Sequence, residues 1–428
     1  MATTNLTSAD AYLKNVYFDP WVEQLNQETV ILDILEKTNA NDMGTFGGRQ
    51  LIFAAHSNRN RGRGATTDGG NLPAAGTQGG VDGIVNIKYF QVGIELSDQV
   101  VRQTKNNQVA FVRELDFEMN MAQKDMRKDM TRIAYGTGDG LLATVTGTPG
   151  AGTSITVDSG QYIAIGDTVD IVLKATGVVT NGVIGTVVQN VTWTGTPNGA
   201  TQANATITIS AATAGATANT YGVYLSGDRS LESDGLRNIC STSRTLHQIN
   251  SASAANGFWD SNVKDLANAA GPSEDGIMQL AQQVRQRSGF TPDLGVMTLG
   301  VLRRLSNTYS SGKRWNDNNA TDYKGGFDTI FVSAGGQPIP MRGDPDAPNG
   351  CLFLINNGGL CWSQIGPPDW LQPPDDKGSV FQLKSAGTGV WARIWQAWLI
   401  WDCCLVSIAP ARQAKMINIY DDVPVTRI

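Results

Sequence analysis

Apolar and polar residues alternate from Val85 to Leu96, with Phe90, Val92, Ile94 and Leu96 on one side of an extended chain and Gln91, Gly93 and Glu95 on the other. Gln50 to Ala55 reads as an earlier strand. Between the two lies a polar stretch, His56 to Ile84, with eight glycines and the run Arg59-Asn60-Arg61-Gly62-Arg63. A connection this long is uncommon inside a compact domain, so it predicts an extended hairpin reaching away from its own body. Upstream, Asp19-Pro20 is a helix start signal, and Trp21, Val22, Leu25, Val30, Ile31, Ile34 and Leu35 follow a loosely helical spacing. Residues 1–40 read as an arm with one docked helix.

The clearest periodicity follows. From Gln108 to Tyr135 the apolar residues Val112, Leu115, Met119, Ala122, Met126, Met130 and Ile133 step by three or four. Gly136, Gly138 and Gly140 then stop the helix. A rise of ~1.5 Å per residue makes it a rod of about 40 Å. Methionines at this spacing are adaptable core filler.

After the rod the composition shifts. Between Leu141 and Gly227 the charged residues are Asp158, Asp167, Asp170 and Lys174, in a background of Thr, Val, Ala and Gly. Tyr162–Ile165, Val169–Leu173, Val183–Val188 and Ala205–Ile209 read as short strands between turn signals, which predicts an inserted all-β module, a small barrel or sandwich. So little charge outside a core predicts oligomer contacts or a covered surface.

Beyond Asp228, Ser261 to Ala270 reads as a helix, and Ser273 caps a second one through Ile277, Leu280, Ala281 and Val284. Val296–Leu299 reads as a strand before a short helix through Leu302 and Leu305. Thr329–Ser333, Cys351–Asn356, Val380–Leu383 and Val390–Ser407 complete the β elements. Trp391, Trp395, Trp398 and Trp401 also admit helical spacing, but the bounding Gly387 and Gly389 favour a strand.

The 428-residue length predicts two or three compact units. A 17% charged content with 48 glycines suits surfaces that neighbours cover. The net charge of -6 argues against a protein that grips nucleic acid by its phosphates. No secretory signal is read in the first twenty residues, and Arg393, Gln396 and Asp402 interrupt the most apolar stretch, so no membrane span is expected. Cys240, Cys351, Cys361, Cys403 and Cys404 read as buried free thiols in a reducing cytoplasm.

Motifs for chemistry fall away one by one. Gly136-Thr137-Gly138-Asp139-Gly140 ends a helix where a dinucleotide fingerprint would open one. Gly312-Lys313 lacks the upstream glycine of a phosphate loop. Asp344-Pro345-Asp346 begins like a calcium loop, but Pro348 and Gly350 break the pattern and favour a rigid turn. Cys403-Cys404 are adjacent, and with only His56 and His247 in the chain they make a poor zinc site. Arg342-Gly343-Asp344 spells an adhesion tripeptide by chance. No catalytic, cofactor-binding or metal residues are therefore assigned, no cofactor is expected, and the chain is read as not an enzyme. For Arg59, Arg61 and Arg63 a solvated loop tip, an acidic patch on a neighbouring subunit and nucleic acid all stay open, the last disfavoured because no aromatics interleave.

A strand ending Tyr89-Phe90-Gln91-Val92-Gly93-Ile94-Glu95-Leu96-Ser97 leads to the helix closing on Ala134-Tyr135-Gly136, and Pro292-Asp293-Leu294-Gly295-Val296-Met297 follows downstream. Gly335-Gly336-Gln337-Pro338-Ile339-Pro340 and the stretch Trp395 to Pro410 extend the series. This order of parts resembles tailed-phage major capsid proteins of the Hong Kong 97-type fold. The resemblance implies an α+β chain with an N-terminal arm (1–44), an extended hairpin loop (45–97) and a spine helix with peripheral domain (98–140). An inserted β domain (141–227), an axial domain (228–375) and peripheral-domain strands (376–428) follow. It implies a shell subunit that assembles as hexamers and pentamers into an icosahedral head around double-stranded DNA. Implied partners are further copies, a separate scaffolding protein, a portal and a decoration protein, with DNA touched only non-specifically and no membrane. Implied location is the virion, after assembly in the host cytoplasm.

An encapsulin-like nanocompartment shell is the alternative of the same fold. A tail-fibre or adhesion protein leaves the rod unexplained, and an Asp-pair hydrolase lacks an evident base beside Asp139 or Asp344. Some relatives cross-link through a lysine on the loop; no lysine lies between Thr45 and Ile87, so no such cross-link is expected.

Overall fold

A computed structural model of the chain describes residues 29–35, 37–39, 45–46, 50–99, 108–146, 152–193, 205–215, 220–267, 271–310, 330–334, 337–372, 380–387 and 390–420. The helix start at Asp19-Pro20 and the Gly312-Lys313 pair lie outside them.

The rod is present as one unbroken helix, Gln108–Tyr135. Ala122, Met126, Met130, Ile133, Ala134 and Tyr135 are buried, while the polar flank at Asn120, Gln123, Lys124 and Arg127 stays exposed. Each buried side chain of this size contributes about 1.5–3 kcal/mol. The stop has a steric cause as well as a conformational one. Gly138 and Gly140 take φ of +85° and +80°, and Gly235 packs so tightly on the helix end that a Cβ there would overlap Ile133 O and Gly136 N.

Beneath the helix runs a sheet built on the 18-residue strand Val390–Ser407. Lys88–Ser97 pairs antiparallel along it from Cys403↔Lys88 to Ile394↔Ser97, and Leu360–Gln364 continues the pairing at the Cys403 to Ser407 end. Phe90, Val92, Ile94 and Leu96 are half-buried and their alternates exposed, as the period of two requires. Phe90 and Val92 pack with Met126, Met130, Leu399 and Trp401 in the largest core.

A second six-stranded sheet runs in the order Asn262–Asp265, Ala414–Ile417, Leu352–Ile355, Leu294–Met297, Gln337–Gly343 and Ile330–Ala334. The helices Glu274–Ser288 and Leu299–Ser310 cover it through Ile277, Leu280, Val284, Val301 and Leu305. Ser273 caps the first of these by accepting from Gly276 N at 3.1 Å, and Gly289 ends it at φ +80°.

The charge-poor stretch forms a closed barrel. Leu141–Thr144, Tyr221–Leu225, Thr168–Leu173, Val183–Trp193, Ala205–Thr213 and Gly152–Val157 pair in that order. The circle closes through a Val145–Val157 bridge, Thr146 N to Thr156 O and Asp158 N to Thr144 O, both 2.9 Å. Closure leaves no open edge. Val145, Ile155, Val157, Ile171, Ile207, Ile209 and Val223 fill the interior.

Four local expectations need correction. Tyr162–Ile165 is a turn, closed by Asp167 Oδ2 accepting Ala164 N at 2.8 Å, with Ile163 inside the barrel core and Tyr162 packed against it. Within Ser261–Ala270, Asn262–Asp265 is a strand parallel to Ala414–Ile417, because partners more than 140 residues away in sequence outweigh local spacing. The run Val85 to Leu96 is two strands, Gly79–Asn86 and Lys88–Ser97, in different sheets. The loop after His56 is correspondingly shorter, since Gln50–Asn58 and Gly79–Asn86 pair as a hairpin and leave 59–78 as its tip.

Candidate functional site

The polar features concentrate in two places: the hairpin that leaves the body, and a buried junction where helix, second sheet and barrel meet.

Gly79–Asn86, glycine-rich and read up to Ile84 as part of the loop, pairs with Gln50–Asn58. Gly83 shows why glycine is required. The Phe53 ring lies across it, and a Cβ there would stand 2.5 Å from Phe53 Cζ. Phe53 in turn contacts His247 edge-on and Trp259, each with ring centroids 6.0 Å apart, and Ile84 N donates to His247 O. These contacts anchor the hairpin root. Further out, the arms cross where a Cβ on Gly62 would overlap Gly76 N. Asn60 bridges them by donating Nδ2–H to Gly76 O at 2.9 Å and accepting Gly62 N at 2.7 Å. Beyond that crossing nearly every residue is exposed, Leu72 at 87%. Arg59, Arg61 and Arg63 are exposed, and among the described residues none of their side chains is ion-paired.

The junction is built from Lys128, Arg132 and Tyr135, spaced by four and three along one helix face. Lys128 Nζ meets Asp346 Oδ2 at 2.6 Å, Arg132 pairs with buried Glu232 at 2.5 Å, and the Tyr135 hydroxyl donates to Asp344 Oδ2 at 2.7 Å. Asp344 Oδ1 accepts Asp346 N at 2.8 Å. From the barrel, Gln161 Nε2 donates to Ala347 O at 2.7 Å and the Tyr162 hydroxyl to Asp346 O at 2.8 Å. Burial pushes the Asp344 carboxyl above its ordinary range, and the Tyr135 bond pulls the other way. Burial, with Asp344 beside it, drives the Tyr135 hydroxyl well up. Asp344-Pro345-Asp346 is therefore a buried structural turn, and Arg342-Gly343-Asp344 does not present its aspartate to solvent.

The remaining chemical candidates stay apart. His56 is exposed on the hairpin, 2.7 Å from Gln78 Oε1. His247 is buried, accepts Ser407 N at Nε2 (3.1 Å) and is pushed down to about 3 by burial and Arg244. Burial pushes the Cys240 and Cys404 thiols up to about 12. All five cysteines are free; Cys361 is half-buried and the others buried. Asp139 caps the helix stop by accepting Leu141 N at 3.2 Å. Among the described residues no group of three or more His, Cys, Asp or Glu is arranged to hold a metal, and no helix is long and apolar enough to cross a membrane. Sequence reasoning missed Lys128, Arg132, Glu232 and Asp346 as a set, because the helix partners lie more than 90 residues away.

No family model and no curated protein matches the sequence. The fold does match: it is the mixed α/β fold of phage capsid subunits. The chain superimposes on a chain of the cyanophage A-1(L) capsid asymmetric unit with a TM-score of 0.57 at 13% identity, over 98% of this chain and 99% of that one. Looser matches include the capsid of a native GTA particle (TM-score 0.48, 8% identity, 98% and 99% covered). An encapsulin complex from Synechococcus elongatus gives a TM-score of 0.43 at 9% identity, with 100% and 99% covered.

Proposed function

We propose that this chain is a major capsid protein, a structural subunit that assembles as hexamers and pentamers into an icosahedral phage head around double-stranded DNA. The single observation that carries the reading is the near end-to-end fold match to a capsid subunit. The exposed hairpin tip supports it, since a 20-residue segment with little covered surface gains its burial only from a neighbour.

On this reading 45–97 is the arm laid over an adjacent subunit. The helix Gln108–Tyr135 and the sheet on Val390–Ser407 form the peripheral domain, the second sheet most of the axial domain, and the barrel an insertion. Closed shells need contacts that repeat at slightly different angles, which a hairpin jointed at one residue, Ile87, accommodates. Further copies, a scaffolding protein, a portal and a decoration protein are the partners, with DNA met non-specifically on the inner surface. The product is a virion component assembled in the host cytoplasm, and its role is structural and non-enzymatic.

Negative-stain microscopy of the purified chain, alone and co-expressed with candidate scaffolding protein, tests this directly. Uniform icosahedral particles are expected; monomers under every condition would overturn it. Packaged DNA separates a phage head from the encapsulin-like alternative, whose contents would be a cargo enzyme.

A further inference from the structure

Two successive non-glycine residues take the left-handed backbone, His247 at φ +51° and Gln248 at φ +62°. Leu246 and Ile249 pair across them, so they are the central pair of a two-residue hairpin turn that normally selects Asn-Gly. A His-Gln pair there is strained, and such strain persists only where the surrounding contacts over-determine it. Those contacts are present. Behind the turn, Trp259 Nε1 donates to Leu246 O at 3.1 Å. In front, His247 joins both strands of the exposed hairpin to the body. Its carbonyl accepts Ile84 N at 2.9 Å, its ring meets Phe53 edge-on at 81°, and its Nε2 accepts Ser407 N at 3.1 Å from the Val390–Ser407 strand.

The apolar part of the root holds the hairpin without aiming it. Leu51, Val85 and Ile87 pack on Cys404 and Val406, and apolar burial has no preferred direction. Lys88, the first residue beyond Ile87, is tied to the body by donating to Ser230 O at 3.0 Å. A cavity of about 260 Å³ is lined by Ile84, Val85 and Asn86 on the hairpin side and by Gly138, Ser233 and Leu405 on the body side. Packing therefore leaves room for the hairpin to change its angle, and the directional contacts from His247 oppose that change. We propose that His247 is a positioning residue and its strained turn a latch, setting the default angle at which the hairpin leaves the body before a neighbour bends it at Ile87. An angle set in advance lowers the ordering cost of docking. That benefit for assembly rests on the shell-subunit reading; the latch itself is a property of the single chain.

The test measures the angle in unassembled, full-length subunits. Four of the five cysteines are buried, so Cys361→Ser gives a background in which spin labels can be placed on Asn58→Cys and Gln283→Cys, both exposed. Double electron–electron resonance then reads the distance from the hairpin to the Glu274–Ser288 helix. With the natural turn, one narrow distribution is expected. His247→Asn with Gln248→Gly supplies the residues the turn prefers but removes the imidazole, and the distribution should at least double in width. Gln248→Gly alone relieves strain and keeps the imidazole, so the width should stay as it was while the melting temperature rises. A turn that served stability alone would not separate these two variants. Phe53→Leu removes the ring contact from the hairpin side; it should broaden the distribution too, and it decides the matter should the double variant misfold. A double variant and a Phe53→Leu chain as narrow as the natural turn, or a natural turn already broad, would overturn the latch. Natural protein that never forms particles would count against the shell reading and leave the distance measurement standing.

Discussion

The Tyr135 hydroxyl donates to Asp344 Oδ2 at 2.7 Å across 209 residues of sequence, with both side chains buried. That bond fixes the last turn of the long helix against the turn that follows the Gln337–Gly343 strand. The Tyr135 ring also packs on Phe353 with centroids 5.7 Å apart. Tyr135→Phe keeps the ring contact and removes only the donor. A buried acceptor losing its partner costs about 1–3 kcal/mol, so urea unfolding of the soluble subunit should shift by that amount.

Asp344 gives stability a defined pH dependence. Burial raises its folded-state pKa above the unfolded value, so the folded chain holds this proton more tightly. The associated stabilisation is full below the unfolded pKa, about 3.9, and is lost as pH rises through the folded one. Asp344→Asn cannot ionise. Relative to wild type, the variant should therefore gain stability as pH rises from about 4 towards neutrality, measured by melting temperature; a constant difference would place the carboxyl's titration elsewhere.

Much of this architecture was legible because its causes are local. The helix Gln108–Tyr135 follows from unbroken periodicity and the glycines after it, the strand Val390–Ser407 from its bounding glycines despite tryptophans that also admit helical spacing, and the Ser273 cap from its position before Glu274 and Asp275. What local pattern could not reach was pairing. Asn262–Asp265 becomes a strand through Ala414–Ile417, and Gly79–Asn86 through Gln50–Asn58, against its own glycine content. The junction was hidden for the same reason. Asp344-Pro345-Asp346 could be recognised as a turn, but nothing near it announces Lys128, Tyr135 or Tyr162.

Arg132 and Glu232 pair at 2.5 Å with about 6% and 5% of each side chain exposed. Glu232→Gln leaves a buried guanidinium without its countercharge, which costs about 3–5 kcal/mol. Replacing both, with Arg132→Met and Glu232→Leu, removes the charge and the need for it together. The double variant should recover most of the loss in chemical denaturation, and a double variant as unstable as the single one would mean the pair's shape matters more than its charge.

Met126 lies fully inside the largest core, on the helix face that meets the sheet. Met126→Leu conserves volume and should cost less than about 1.5 kcal/mol. Met126→Glu buries a carboxylate in that apolar cluster, and soluble folded subunit should disappear from expression trials.

The hairpin tip separates folding from assembly more cleanly than any other segment. Arg59, Arg61 and Arg63 are exposed. They follow one another on one arm of the tip beyond the strand end at Asn58, with Arg63 N donating to Arg61 O at 2.8 Å. If the tip lies on an acidic neighbouring surface, Arg59→Glu, Arg61→Glu and Arg63→Glu together reverse every pair at once. The melting temperature of the unassembled subunit should stay within about 2 °C of wild type, since substitutions away from packed or paired groups change stability by about 0.5 kcal/mol or less. Particle yield should collapse. Lysines at the same positions keep the charge but lose the planar fork, so they should assemble with higher salt sensitivity. Equal particle yields from the arginine and glutamate chains, at low and high salt alike, would show that the tip docks through Leu72 and its backbone and that its arginines only solvate it.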